Sequence, residues 1–384
     1  MNKNSFVLYG HILHTPTPKA FAVSENSYLV CENGLCGGIF ESLPEKYNSL
    51  PLYSYENRLI IPALYDLHLH APQYAFRGLG MDKELIEWLN AHAFAEELRY
   101  GDEEYAAKAY EIFAEDLKAS AVARAVVFGT VHANSTLLLM EKLEQTGLCC
   151  FVGKVNMDRN APEELCDPAP AQAALETSRW IEASLERFTN TKPILTPRFI
   201  PSCSDELMEQ LSLLRREYGL PVQSHLSENK NEIEWVKELC PWSCSYGDAY
   251  DRFGMLNGPT VMAHCVHTSG EEAELLKKNN VIIAHCPSSN INLSSGAAPV
   301  RSFLEMGITV GLGTDIGAGW DISVFRAMTD AIQVSKLRSC LTDGSRPLTL
   351  PEVFYMGTKA AGSFFGNAGS FEKGNSPLSL SQGR

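Results

Sequence analysis

The stretch "IIPALYDLHLHAPQY", residues 60–74, decides the fold. It starts as an apolar run suited to a buried strand and then places Asp66, His68 and His70 at every second position. Side chains alternate between the two faces of a strand, so these three polar groups are expected to share one face. The stretch therefore predicts a core strand whose C-terminal end carries groups that can bind a metal ion.

Seven more short apolar runs follow, and longer amphipathic segments separate them. The runs are "ARAVVFGTVHA", "LCCFVGKVNM", "KPILTPRFI", "LPVQSHLSE", "TVMAHCVHT", "VIIAHCPSSN" and "ITVGLGTDIG". Eight strands that alternate with helices predict an α/β protein with a (β/α)8 barrel of the TIM type. A doubly wound open sheet is the alternative, but the glycines of "GLGTDIGAG" follow the last strand, whereas a dinucleotide-binding turn follows the first.

Composition limits the function classes. The 384 residues are 45% hydrophobic and carry a formal net charge of −14, which argues against nucleic acid or an anionic membrane as a partner. We expect no transmembrane segment, because no window approaches the roughly 18 apolar residues that a spanning helix needs. Eleven scattered cysteines indicate reduced thiols and a cytoplasmic protein. Cys240 and Cys244 resemble half of a zinc knuckle, but no second cysteine pair accompanies them.

Barrel enzymes place their chemistry at the C-terminal ends of the strands, and polar residues fall at those ends here. They are His68, His70, Arg198, His225, His264, His285 and Asp315. An H-x-H pair, a third histidine and one carboxylate form a set suited to zinc or iron, with water in the remaining position. We therefore predict one divalent metal ion per chain, zinc or else iron. Its predicted ligands are His68, His70, His225 and Asp315.

Two further residues are predicted to handle protons. Glu228 follows His225 by three residues, where it could take a proton from a metal-activated water and deliver it elsewhere. A purely structural role is also open, because a carboxylate at the start of the following helix stabilises the helix dipole. His264 would lie across the metal and stabilise developing charge. His285 either faces the site or packs beneath it.

At these residues the sequence resembles the amidohydrolase superfamily and, within it, the guanine deaminases. The resemblance runs from about residue 5 to about residue 374, and its most specific part is the ordered set "HAPQY", "TPRF", "SHLSEN" and "GLGTD". It implies a cytoplasmic homodimer that hydrolyses guanine to xanthine and ammonia by means of a metal-activated water. Because the fourth strand ends in "TPRF" without a lysine that could bridge two ions, one metal is expected.

The resemblance assigns roles residue by residue. It matches His68, His70, His225 and Asp315 to the metal ligands, and Glu228, His264 and Asp315 to the catalytic residues. It matches Gln73, Arg198 and Phe199 to the purine-binding residues. An arginine fork can meet the O6 and N7 acceptors of guanine, and a phenylalanine ring can pack on the flat base. Trp88 either walls the pocket or belongs to the core.

The resemblance also implies a small β-sandwich beside the barrel, formed by residues 1–61 and 366–384, with the barrel at 62–365. The sequence departs from the family there, because it ends in "NSPLSLSQGR" where relatives continue with more strands. We expect this tail to be disordered and the sandwich to be truncated and open-edged, which favours association. Alanines at Ala63 and Ala121 replace glycines of the family and would be strained at positive φ.

Two other functions stay open at this point. The same chemistry could act on another aminated heterocycle, such as a pterin or a triazine. Alternatively, the chain could be a truncated, inactive relative that serves as a binding or assembly protein. Arg198 and Gln73 favour guanine, and the complete ligand set argues against loss of the site.

Overall fold

The computed structural model describes residues 5–268 and 270–375. The first four strands form one small sheet in the order β3-β2-β1-β4. They are β1 (Phe6–Thr17), β2 (Ala20–Glu32), β3 (Leu35–Phe40) and β4 (Leu52–Ile60). A turn joins β2 to β3, and its residues Asn33 and Gly34 have φ of 54° and 80°. Asn-Gly is the pair that a two-residue turn with left-handed backbone favours.

All eight predicted barrel runs contain strands. They are β5 (Leu64–His70), β6 (Val122–Phe128), β7 (Cys149–Gly153), β8 (Val155–Asn156), β9 (Thr191–Pro193), β10 (Thr196–Pro197), β11 (Val222–Leu226), β12 (Thr260–His264), β13 (Ile282–His285) and β14 (Val310–Leu312). Their pairing is parallel, in the orders β5-β6-β7-β9, β8-β10 and β11-β12-β13-β14. This alternation of parallel strands and helices confirms the predicted α/β class.

Backbone contacts join these sheets into a ring. A parallel bridge between Leu195 and Val222 connects the β9–β10 segment to β11. At the other seam the amide of Asp315 donates to the carbonyl of His68 over 2.8 Å, and the amide of His70 donates to the carbonyl of Ile316. The second seam joins β14 to β5, so the first and last barrel strands are neighbours. An open doubly wound sheet would leave them apart, and that alternative is wrong.

Helices cover the outside of the barrel. The described residues form α-helices at Leu85–Trp88, Phe94–Leu98, Glu103–Ala119, Ala133–Thr146, Pro170–Arg187, Asp205–Tyr218, Lys230–Leu239, Tyr246–Arg252, Gly270–Lys278, Pro287–Asn292, Val300–Met306, Val324–Arg338 and Leu350–Tyr355, labelled α1 to α13 in that order. Side-chain caps fix several of the starts. In α7 (Lys230–Leu239), Asn229 and Glu232 form a capping box directly after Glu228. This cap sets the path of the chain next to the candidate site.

The main hydrophobic core lies between the strands and the surrounding helices, and it includes Leu69, Phe113, Leu143 and Ile283. The segment 366–375 packs on the small sheet, where the amide of Gly374 donates to the carbonyl of Cys36. This contact supports the proposed grouping of the C-terminal residues with the first strands. The predicted disorder concerns the tail at 375–384, of which all residues except Asn375 lie outside the described part. Neither Ala63 nor Ala121 has positive φ, so neither replacement is strained.

Candidate active site

Four of the polar strand ends meet at one mouth of the barrel. Oδ1 of Asp315, just past β14, lies 3.2 Å from Nε2 of His68 and 3.4 Å from Nε2 of His70. Nε2 of His225, on β11, lies 3.2 Å from Nε2 of His70. The four side chains that the sequence nominated as metal ligands therefore converge, although β5, β11 and β14 are far apart in the chain.

The geometry and chemistry of this group fit a bound metal ion. Ligands about 2.0–2.1 Å from a tetrahedral ion are roughly 3.3 Å from each other, close to the separations observed here. Nε2 of His68 is buried and has no hydrogen-bond partner among the described residues. Burial, with the nearby imidazoles, lowers the pKa of His68, His70 and His225 well below the ordinary value. The rings are therefore neutral and keep the lone pair that a metal requires.

Interactions behind the ligands hold them in place. Asp66, fully buried, accepts hydrogen bonds from the amide of Thr314, the hydroxyl of Thr314 and the amide of His68. Asp66 thus ties β5 to the end of β14 and leaves the ligand role to its neighbours. Nδ1 of His225 lies 2.7 Å from the carbonyl of Arg198, to which it donates, so Nε2 faces the site. Asp315 has φ of 49°, in the left-handed region that non-glycine residues adopt infrequently.

The two predicted proton-handling residues lie beside this group. Nε2 of His264 is 3.5 Å from Oε2 of Glu228 and 3.9 Å from Oδ2 of Asp315. On its other side, Nδ1 of His264 is 2.9 Å from the side-chain oxygen of Asn290. Burial, and then the charge of Asp315, raises the pKa of Glu228 to about 8. Glu228 can therefore hold a proton near neutral pH, as a group that both accepts and delivers protons must.

A narrow cleft with a volume of about 30 Å³ reaches this group. Its lining is apolar along one wall and polar at the base, as in small-molecule sites. The lining residues are His70, Gln73, Leu85, Trp88, Leu89, Arg198, Phe199, His225, Glu228, Glu232, His264, Leu293, Asp315 and Ala318. The predicted substrate-binding residues are all among them. Trp88 belongs to the wall and is also packed in a hydrophobic cluster, so both sequence interpretations of this residue hold.

One functional residue was missed by the sequence reasoning. Glu97 is 1% exposed and accepts hydrogen bonds from both Gln73 and Arg198 at the base of the cleft. A signal was available in the sequence. Leu89, Ala93 and Glu97 recur at intervals of four, so Glu97 falls on the buried face of its helical segment.

Two other polar residues lie outside the site. His285 lines a separate small cavity with residues of α11 (Val300–Met306) and α12 (Val324–Arg338), so it packs between the barrel and its helices. Lys154 is buried in an ion pair with Asp167, with 2.7 Å between Nζ and Oδ1. This pairing gives Lys154 a structural role.

Comparison with known proteins identifies the family. Residues 59–377 match the model of the amidohydrolase family. The chain belongs to this family. It is 39% identical over 303 residues to a guanine deaminase of Dictyostelium discoideum. The matched region covers 79% of this chain and 67% of the relative. It is 37% identical over 322 residues to a guanine deaminase of Mus musculus, with 83% of this chain and 71% of the relative covered.

A solved structure of the same kind is also similar. The guanine deaminase of C. acetobutylicum, with guanine bound in the active site, superposes with a TM-score of 0.94 at 44% identity. The match covers 97% of this chain and 89% of that chain. The predicted relationship to guanine deaminases of the amidohydrolase superfamily is confirmed. No helix within residues 5–268 and 270–375 is long and apolar enough to span a bilayer.

Proposed function

We propose that this protein hydrolyses guanine to xanthine and ammonia. The observation that carries the proposal is the convergence of three neutral imidazoles and one aspartate beside a cleft that is also lined by an arginine and a glutamine. Guanine deaminases at 37–44% identity over most of the chain support the same reaction. The products balance, since one water replaces the exocyclic amine at C2 and ammonia leaves.

Binding would use the polar base and the aromatic wall of the cleft. We assign the guanidinium of Arg198 to the O6 and N7 acceptors of the purine and the Gln73 amide to its N1 side. Phe199 is 5% exposed and lines the cleft, where its ring can pack against the base. The Trp88 indole, which also lines the cleft, donates to the carbonyl of Leu79 over 3.2 Å, and this contact fixes its ring.

Proton transfer would rest on Glu228. We assign it to accept a proton from the attacking water and to deliver that proton to ring N3. It then moves the proton of the new C2 hydroxyl to the exocyclic amine, which leaves as ammonia while the C2 carbonyl forms. Its Oε1 accepts a hydrogen bond from Ser295 over 3.2 Å, which orients the carboxyl group. His264, held at Nδ1 by Asn290, would present Nε2 towards the developing charge at C2.

We assign one divalent metal ion, zinc or else iron, to His68, His70, His225 and Asp315. When bound, such an ion acts as a Lewis acid that lowers the pKa of a coordinated water to roughly 7. Three nitrogens and one carboxylate are a donor set that both ions accept. The expected homodimer rests on the resemblance to the family, and sizing chromatography of the purified protein tests it. The expected cytoplasmic location rests on the eleven scattered cysteines.

A direct assay tests the reaction. Purified protein of known metal content is incubated with guanine, and xanthine absorbance and ammonia release are followed together. The proposal expects both products in equal amounts. A pterin and an aminated triazine, offered in parallel, should give much slower release of ammonia. Release from either of them in preference to guanine would contradict the proposal.

A further inference from the structure

Glu97 lies behind the purine-binding residues and contacts two of them at once. It belongs to the short helix Phe94–Leu98 and is buried with both carboxylate oxygens engaged. Oε1 accepts from Nε2 of Gln73 over 2.8 Å and from one terminal nitrogen of Arg198 over 3.0 Å. Oε2 accepts from the other terminal nitrogen of Arg198 over 2.5 Å. A carboxylate that holds a guanidinium in this two-pronged way fixes its plane as well as its position.

This contact determines which way the Gln73 amide points. A carboxylate paired with an arginine only accepts hydrogen bonds, so the amide nitrogen of Gln73 has to be the atom that faces Glu97. The amide oxygen is then turned the other way. It is buried without a hydrogen-bond partner among the described residues, and Gln73 lines the cleft. Gly317 leaves room for this oxygen, since a Cβ there would lie only 2.5 Å from it.

The same contact leaves donors on Arg198 for a ligand. A guanidinium has five N–H groups, and the pair with Glu97 uses two of them. The backbone carbonyl of Arg198 accepts a hydrogen bond from His225, so Arg198 is also anchored to one of the proposed metal ligands. The base of the cleft therefore presents a donor group from Arg198 next to an unpaired acceptor from Gln73.

We propose that Glu97 is a positioning residue that makes the cleft selective for 6-oxo-2-aminopurines over 2,6-diaminopurines. This inference rests on the proposed function. Guanine offers an acceptor at O6 and a donor at N1, which complements the donor of Arg198 and the acceptor of Gln73. In 2,6-diaminopurine the same edge has the opposite polarity, with a donor at the 6-amino group and an acceptor at N1. Binding of 2,6-diaminopurine would leave buried polar groups unpaired, so we expect the cleft to prefer guanine over it by roughly 10²-fold or more.

The variant Glu97→Gln tests the polarity argument, because it keeps the shape and adds a donor where the wild type has only acceptors. The Gln73 amide is then free to turn its nitrogen towards the ligand. Dissociation constants for guanine and 2,6-diaminopurine are measured by calorimetry on metal-depleted protein, and kcat and KM on metal-loaded protein. We expect the preference for guanine to fall by about 10-fold or more, with the larger change in KM and with metal content as in the wild type.

A neighbouring carboxylate provides the matched control. Glu96 lies on the same helix but pairs with Arg99 and Tyr105, away from the cleft. Glu96→Gln should leave the guanine preference unchanged. A wild-type preference in Glu97→Gln would overturn the inference. If Glu97→Gln does not fold, Glu97→Asp replaces it as the test, because it keeps the charge but withdraws it by one methylene. Glu97→Asp must weaken guanine binding more than it weakens 2,6-diaminopurine binding. Equal losses for the two purines would overturn the inference.

The two proposals fail in different ways. Protein that binds guanine selectively but releases neither xanthine nor ammonia would contradict the proposed function and leave the polarity argument standing. Protein that releases xanthine, with an unchanged preference in Glu97→Gln, would contradict only the role of Glu97. Binding without any preference in the wild type would also overturn that role.

Discussion

Strands β4 and β5 are separated by three residues, yet they invert the usual relation between polarity and burial. In β4 every residue except Ile60 is exposed, and Leu52 and Leu59 are 52% and 56% exposed. In β5 every residue is buried, including Asp66 at 0% and His68 at 1%. The partners of each strand explain the inversion. β4 is the last strand of its sheet among the described residues, whereas β5 lies between β6 and the end of β14.

Buried polar groups persist only where something satisfies them. Asp66 is stabilised by three hydrogen bonds, and one ring nitrogen each of His68, His70 and His225 lies within 4.8 Å of the other two. The apolar side chains of β4 meet no such requirement, because exposure of single apolar residues costs little. The comparison predicts large effects for changes around β5 and small ones for changes on β4.

The largest effect is expected at Glu228. Glu228→Gln removes the group that moves the proton and keeps a side chain that can still accept from Ser295. We expect kcat to fall by about 100-fold or more with metal content near one equivalent, since Glu228 is not among the proposed ligands. Steady-state kinetics with guanine and metal analysis check both parts. Glu234→Gln, at an exposed carboxylate of the helix that follows Glu228, should behave like the wild type. Unchanged turnover in Glu228→Gln would remove Glu228 from the mechanism.

A smaller effect is expected from Thr314→Val. It leaves one buried oxygen of Asp66 without its hydroxyl donor, and we expect unfolding to become easier by about 1–3 kcal/mol. Metal affinity should fall as well, because Asp66 joins the strands that carry His68 and Asp315. Denaturant titrations and metal competition assays measure the two changes. Thr314→Ser retains the hydroxyl and should recover most of the loss; a loss as large as in the valine variant would refute the role given to the hydroxyl.

Glu352, a buried carboxylate far from the site, tests whether hydrogen bonds also stabilise a buried polar group elsewhere in the protein. Glu352 is desolvated, but hydrogen bonds from Arg301 and Thr349 outweigh that effect and hold its pKa at about 2. A depressed folded-state pKa contributes stability above the unfolded-state pKa, and this contribution is lost as the pH falls towards 2. Between pH 5 and pH 3 the wild type should lose about 1–2 kcal/mol more than Glu352→Gln in denaturant titrations. Parallel losses would contradict the assignment.

The smallest effect is expected on β4. Leu59→Lys should change the free energy of unfolding by no more than about 0.5 kcal/mol and leave kcat/KM unchanged, because Leu59 is exposed and far from the ligand group. A lysine on an edge strand also hinders pairing with another chain. Light scattering should therefore show less self-association, if any occurs in the wild type. A loss of stability like that of Thr314→Val would show that β4 is covered in solution.

Local patterns account for what the sequence predicted well. The alternation in "DLHLH" and the repeated strand runs are short-range signals, and the C-terminal ends of parallel strands meet at one mouth by topology. That reasoning brought together ligands from β5, β11 and β14. The contact of Glu97 with Arg198 and the contact of Asp66 with Thr314 join residues 101 and 248 positions apart. No local pattern encodes those pairs, and the outward packing of His285 likewise depends on which helix covers β13.

Metal analysis of the purified protein tests the central claim most directly, namely that four side chains from β5, β11 and β14 bind one ion. Inductively coupled plasma mass spectrometry, calibrated against chain concentration, should find about one equivalent of zinc or iron in the wild type and far less in His225→Ala. Two equivalents per chain, or an unchanged single equivalent in His225→Ala, would contradict this account of the site.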